Sequence, residues 1–337
     1  MIKRIDNAYV TLFAVAVVLC LLPLVLSKAG LVLATEFCVV LAIALAWNLL
    51  AGFSGIVLIG MPLFIGAGGY TLYLVANVLG IPPYPAILAG AVVPAVIAYA
   101  LSPLLFRLEG AQLAIGSWVM AEVARLLCLI TPAVGAGGGL NLEVLRLVPR
   151  SLRLPLNFAF AAIVLFITLS AIVILLKSRF GLGLRAMRDS DAAAEAMGVK
   201  TSRVKLLTLI TATALSGAAG ACYYITSIQI TPSSAFSQNW IAITIFIVIL
   251  GGIGSVEGPI FGAIVYYLLR ETLSDLGPGY FVISGLLAIT VTIFLPEGVW
   301  GLIKRLIRID LLPIAHHEAR RVPGTHPTIT DKKGKLA

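Results

Sequence analysis

The chain reads as an all-α integral membrane protein of about ten transmembrane helices, several interrupted by glycine, with a further short helix in its largest polar loop. Three observations lead there. Hydrophobic residues fill 60% of the 337 positions and charged residues 12%, against roughly 45–50% and about 25% in a soluble domain. Mean hydropathy is +1.05. Apolar runs of about 20 residues, enough to cross about 30 Å of hydrocarbon, recur along most of the length.

The runs fall at 9–27, 31–51, 56–79, 84–106, 112–131, 157–176, 206–228, 239–254, 259–274 and 279–296. The first follows "MIKR" directly, is long for a signal peptide and lacks a cleavage site, so it reads as a retained span. Residues 1–304 form one polytopic domain, and 305–337 a basic tail expected to be disordered. With the N-terminus inside and ten alternating spans, eighteen Lys and Arg fall on the cytoplasmic side and five outside, Arg270 among the latter, with Arg125 within a span. That asymmetry sets the orientation, with both termini and the loop 177–205 cytoplasmic.

Several chemistries are excluded. The four cysteines (Cys20, Cys38, Cys128, Cys222) sit singly in apolar runs, as small core hydrophobes do. All three histidines (His316, His317, His326) lie in the tail. No HExxH, no Ser–His pairing and no intramembrane histidine relay is available, so neither a metal site nor a catalytic centre is expected. The net charge of +9 is not gathered on an aromatic-interleaved face, which argues against nucleic acid. "KKGKL" near the end has neither the spacing nor the Ser/Thr of a phosphate-cradling loop.

The stretch "RFGLGLRAMRDSDAAAEAMGVKTSRVK", residues 179–205, carries nine charges in 27 positions. Within it, 189–198 is expected to form a short helix. Ser190 or Asp191 caps the first N–H groups, and Asp189 and Asp191 suit the N-terminal dipole. Ala192 to Ala194 are strong helix formers, and Gly198 suits the left-handed closing residue. Gly181 and Gly183 give a flexible entry. So short a helix is marginal alone and must pack on something. It is either a solvated loop resting on its own protein or lipid, or a docking helix for a cytoplasmic partner. In the second case Met197 is the apolar anchor and Arg185, Arg188, Asp189 and Asp191 are the polar rim.

Within the membrane, Gly254, Gly258 and Gly262 have the small-xxx-small spacing that lets helices approach closely, and Pro259 suits the first turn of a new helix. "AGFSG" (51–55) and "GAGG" (66–69) look like similar breaks. The ionisable residues inside spans are Glu36, Glu122 and Arg125. Glu122 and Arg125 are three apart and can pair, which suits a functional or a structural role equally. Asn48, Ser54, Gln112, Ser117 and Glu122 are the candidates for lining a solute path, with interhelical hydrogen bonding as the competing use.

Several motifs together resemble one family. "SRFGLGLRAMRDSDAAAEAMGV" is similar to the cytoplasmic loop of ABC-importer permeases, specifically branched-chain amino acid permeases of the LivM type. "LAWNLLAGFSGIVLIG", "FRLEGAQLAIGSWVMAEVARLL", "ILGGIGSVEGPIFGA" and "LPEGVWGL" resemble further segments of that family, in the same order. The resemblance implies a non-enzymatic subunit of a bacterial inner-membrane importer, with no cofactor of its own. It also implies a second, LivH-like permease, two cytoplasmic ATP-binding subunits and a periplasmic or extracellular solute-binding protein. The loop helix then becomes a coupling helix, with Gly181, Arg185, Arg188, Asp189, Asp191, Ala194, Met197 and Gly198 contacting the ATPase. The solute is a branched-chain or related small amino acid, with urea or short amides as the alternative. An ion-coupled secondary transporter is the runner-up class.

Overall fold

A computed structural model describes residues 2–189, 191–273 and 297–307, with isolated positions between 283 and 295. Helices α1 (Ile2–Val25), α2 (Lys28–Asn48), α3 (Met61–Leu79), α4 (Pro83–Leu105) and α5 (Gly110–Ile130) come first. Then follow α6 (Arg150–Lys177), α7 (Arg179–Asp189), α8 (Asp191–Ala196), α9 (Thr201–Ser227), α10 (Pro232–Ala235), α11 (Asn239–Gly251), α12 (Gly258–Leu273) and α13 (Gly298–Ile307). The only described strands, β1 (Leu140–Asn141) and β2 (Gln229–Ile230), pair antiparallel.

Among the described residues, seven helical segments are long and apolar enough to cross a membrane. The expected first run lies in α1, whose apolar part is shortened to Val10–Pro23. The ninth lies in α12, which has 16 residues, about 24 Å at 1.5 Å each and short of the hydrocarbon thickness. The tenth lies largely outside the described residues. Of the expected tail, α13 takes in 305–307, and the remainder is outside the description.

Lipid is as apolar as the helices, so burial of apolar surface does not drive these helices together; close packing does. α9 is the hub, packed on α2, α3, α4 and α6, with 67% of its apolar window buried. Its seam is glycine. A Cβ on Gly217, Gly220, Gly68 or Gly90 would meet a neighbouring helix inside the 3.0 Å that real Cβ atoms respect. "GAGG" is therefore no break: Gly66 to Gly69 lie inside unbroken α3, where α9 and α10 press against them. α5 is the opposite case, with 11% of its window buried.

"AGFSG" is a true break. α2 runs on into a π-helical turn, Leu49–Phe53, and then a non-helical connection that leads to α3. Ser54 Oγ donates to the Leu50 carbonyl at 2.6 Å, and the Trp47 indole donates to the Leu58 carbonyl at 2.9 Å. The indole gives a partner to a carbonyl that lies outside any helix, as membrane depth demands.

Candidate functional site

Three features of the fold bear on function. The first is the polar loop. α7 extends from Arg179 to Asp189, so the expected flexible entry is itself helix. Gly181 and Gly183 serve contact instead: a Cβ on Gly181 would strike the Leu176 carbonyl, and one on Gly183 would press on Val199 and Val204. Leu184 and Met187 are buried, packing α7 against α6 and α9. Burial lowers the pKa of the Arg185 guanidinium from its ordinary value.

The expected short helix is α8, six residues long. Gly198 closes it at φ 84°, left-handed as anticipated. The amides of Gly198 and Val199 donate to the carbonyls of Glu195 and Ala194, and Thr201 Oγ1 donates to Glu195 Oε1. Ala194 is 0% exposed, whereas Met197 is 70% exposed. The loop is thus clamped at its base with Met197 held in the open, as Phe180 and Leu182 also are on α7. Arg188, Asp189 and Asp191 are placed along it by their backbone alone.

The second feature is a point where two broken helices meet. α11 ends at Gly251, and the chain turns through 252–257 before α12. Asn48, at the end of α2, ties the two breaks: its Nδ2 donates to the Ser255 carbonyl at 2.7 Å, and its Oδ1 accepts from the Gly254 amide at 2.9 Å. Gly254 has φ 80°, a conformation that glycine adopts at no steric cost. Ser255 Oγ accepts from the Gly258 amide at 3.1 Å, capping α12. A Cβ on Gly52 would lie 2.6 Å from the Gly254 nitrogen, and Cβ atoms on Gly258 and Gly262 would strike the carbonyls of Gly252 and Ile247. Gly258 and Gly262 thus lie at close backbone contacts, whereas Gly254 is in the turn that connects the helices. Even alanine is obstructed at Gly258, because the nearest obstacle is the Gly252 backbone carbonyl.

Ser117, on α5, is likewise occupied: its Oγ donates to the Ala114 carbonyl at 2.9 Å and accepts from the Gly60 amide at 3.0 Å. Asn48, Ser54 and Ser117 are all buried and hold irregular backbone. Gln112 is exposed in the first turn of α5. Glu122 and Arg125 form the anticipated pair, Arg125 Nη2 to Glu122 Oε1 at 2.6 Å, with side chains 43% and 27% exposed.

The third feature was not foreseen. Arg270 on α12 pairs with Glu36 on α2 at 2.5 Å and lies 5.8 Å from the Tyr267 ring centroid. The pair borders a cleft of about 220 Å³ between α2, α9 and α12. Assigning Arg270 to the outer surface hid the pairing. The signal was present in Glu36, since a lone acid inside a span requires a partner.

Glycine-packed helices of spanning length, two of them broken at a shared centre, define a multi-pass membrane protein. Residues 31–295 match the family described as branched-chain amino acid transport system / permease component. The chain belongs to that family, and so is a permease subunit of an ABC importer.

It is 24% identical to the high-affinity branched-chain amino acid transport permease LivM of Salmonella typhimurium, over 88% of this chain and 76% of the relative. To LivM of Escherichia coli it is also 24% identical, over 85% and 73%. The permease LivH of Escherichia coli is 32% identical over 41% of this chain and 46% of its own length. That both kinds of permease match agrees with an importer containing a second, related permease. No solved structure matches.

Proposed function

We propose that this subunit, with its second permease, forms the path for branched-chain or related small amino acids. Two cytoplasmic ATP-binding subunits drive the pair, and an external solute-binding protein feeds it. On this reading the chain hydrolyses no ATP and needs no cofactor, and both termini face the cytoplasm across a bacterial inner membrane.

The observation that carries the proposal is the α7–α8 loop, with Met197 exposed above a base clamped by Ala194, Leu184 and Met187. An apolar anchor presented on a rigid support suits docking into a groove of an ATPase. Gly181 and Gly198 shape the loop, and Arg185, Arg188, Asp189 and Asp191 supply its polar rim. α7 also touches the π-turn at 49–53, which Asn48 bonds to the α11–α12 break. Movement of the loop therefore meets both broken helices through direct contacts.

α5 supplies the face for the second permease. It is little covered by its own chain, yet it carries Glu122 and Arg125, and charge facing lipid is expensive. Protein or a wet path on that side relieves the cost. Gln112 and Glu122, on this uncovered helix, are the pathway candidates that remain available to solute.

The test is reconstitution with both permeases, the ATPases and the binding protein in proteoliposomes, measuring ATP-driven uptake of L-leucine and of urea. Leucine uptake that requires ATP is the expected result. Uptake of urea alone replaces the solute.

A further inference from the structure

The cleft between α2, α9 and α12 takes no residue from the coupling loop or from the breaks at 49–53 and 252–257. It opens near the start of α2 and the C-terminal ends of α9 and α12, since Ser227 and Arg270 both line it. The β1–β2 pair adjoins the same end of α9, opposite to the loop that joins α6 to α9. In the orientation proposed above, this is the side from which solute arrives.

At about 220 Å³ the cleft is below the roughly 300–1,000 Å³ of drug-sized sites and suits a small metabolite. Two opposite charges stand at it, Glu36 and Arg270. Aliphatic wall is provided by Val32 and Val39, and hydroxyls by Thr35 and Ser227. The charged side chains are 28% and 44% exposed respectively, so their pair is accessible. A partly exposed ion pair contributes little net stability, and exchanging it for another pair of opposite charges costs correspondingly little. A site of zero net charge also takes up a zwitterion without burying an uncompensated charge.

We propose that this cleft is the subsite at which the permease receives the charged groups of an α-amino acid. Glu36 accepts from the α-ammonium, Arg270 donates to the α-carboxylate, and Val32 and Val39 face the aliphatic side chain. The incoming zwitterion replaces the Glu36–Arg270 pair with two pairs of its own. The proposal rests on the amino acid reading of the importer and adds to it the groups that recognise the substrate.

The test uses the complete reconstituted importer with Cys20 and Cys128 replaced by alanine. Ser227→Cys, exposed in the cleft, is labelled with a maleimide. L-Leucine is expected to slow labelling, whereas 4-methylpentanoate and 3-methylbutylamine, each lacking one of the two charges, are not. Glu36→Gln, Arg270→Gln and the double neutral variant are each expected to remove this protection. Each should also lower leucine uptake about 10-fold or more, as loss of a charge-assisted hydrogen bond does. A double neutral variant that transports and is protected like the unaltered importer shows a structural pair only and overturns the proposal. Leucine uptake by the unaltered importer, with no protection by any zwitterion, overturns the cleft and leaves the importer reading standing. Protection by glycine or alanine without leucine uptake keeps the cleft and overturns the branched-chain solute.

Discussion

Arg270 Nη1 donates to Glu36 Oε1 at 2.5 Å across 234 positions of sequence, joining the last described long helix of the fold to its second. A charge inside a span is tolerated when it is paired, and these two charges pair beside a cleft.

The tie between the broken helices depends on Asn48. Asn48→Ala leaves the Gly254 amide and the Ser255 carbonyl without their bonds, which costs about 1–3 kcal/mol for groups cut off from water. The expected result is a lower melting temperature in detergent. Asn48→Asp retains the acceptor for Gly254 but sets a buried carboxylate oxygen against the Ser255 carbonyl, so it should lose at least as much. Equal melting temperatures for all three proteins contradict the tie.

At Gly258 even a methyl group is too large. Gly258→Ala places a Cβ against the Gly252 carbonyl and Ser255 Oγ, and overpacking of this kind costs about 1–3 kcal/mol. Gly138→Ala is the control, since nothing lies within 4 Å of its added Cβ. The yield of folded protein by size-exclusion chromatography should fall for the first and hold for the second.

Met197→Asp tests docking without disturbing the fold, because the side chain is 70% exposed. Burying a methionine in a partner contributes about 1.5–3 kcal/mol, so the ATPases should leave the purified complex while the second permease remains. Ala194→Pro should release them too, but through loss of the loop's packing, since Ala194 is fully buried. Unchanged ATPase co-purification for Met197→Asp excludes this residue as the anchor.

Sidedness is read with two single cysteines in a background lacking the native thiols. Met197→Cys should react with an impermeant maleimide only from the cytoplasmic face, and Gly138→Cys only from the outer face, because α6 separates them. Reaction of both from one side means that α6 does not cross.

Composition and apolar run length were enough to establish a helical membrane protein, because a chain in hydrocarbon has to satisfy its backbone within each segment. Local chemistry also settled local features: the helix ending at Gly198 and the Glu122–Arg125 pair three residues apart. Each depends on residues within a turn or two, and their spacing is visible in the chain. What only the tertiary structure decided is which distant groups meet. Nothing near Asn48 in sequence shows that its amide serves Gly254 and Ser255, nothing near Gly68 shows that α9 crosses there, and nothing near Glu36 names Arg270. These pairings arise when helices far apart in sequence are packed side by side, and side-chain periodicity within one helix records which face is small or polar but not the helix it will meet.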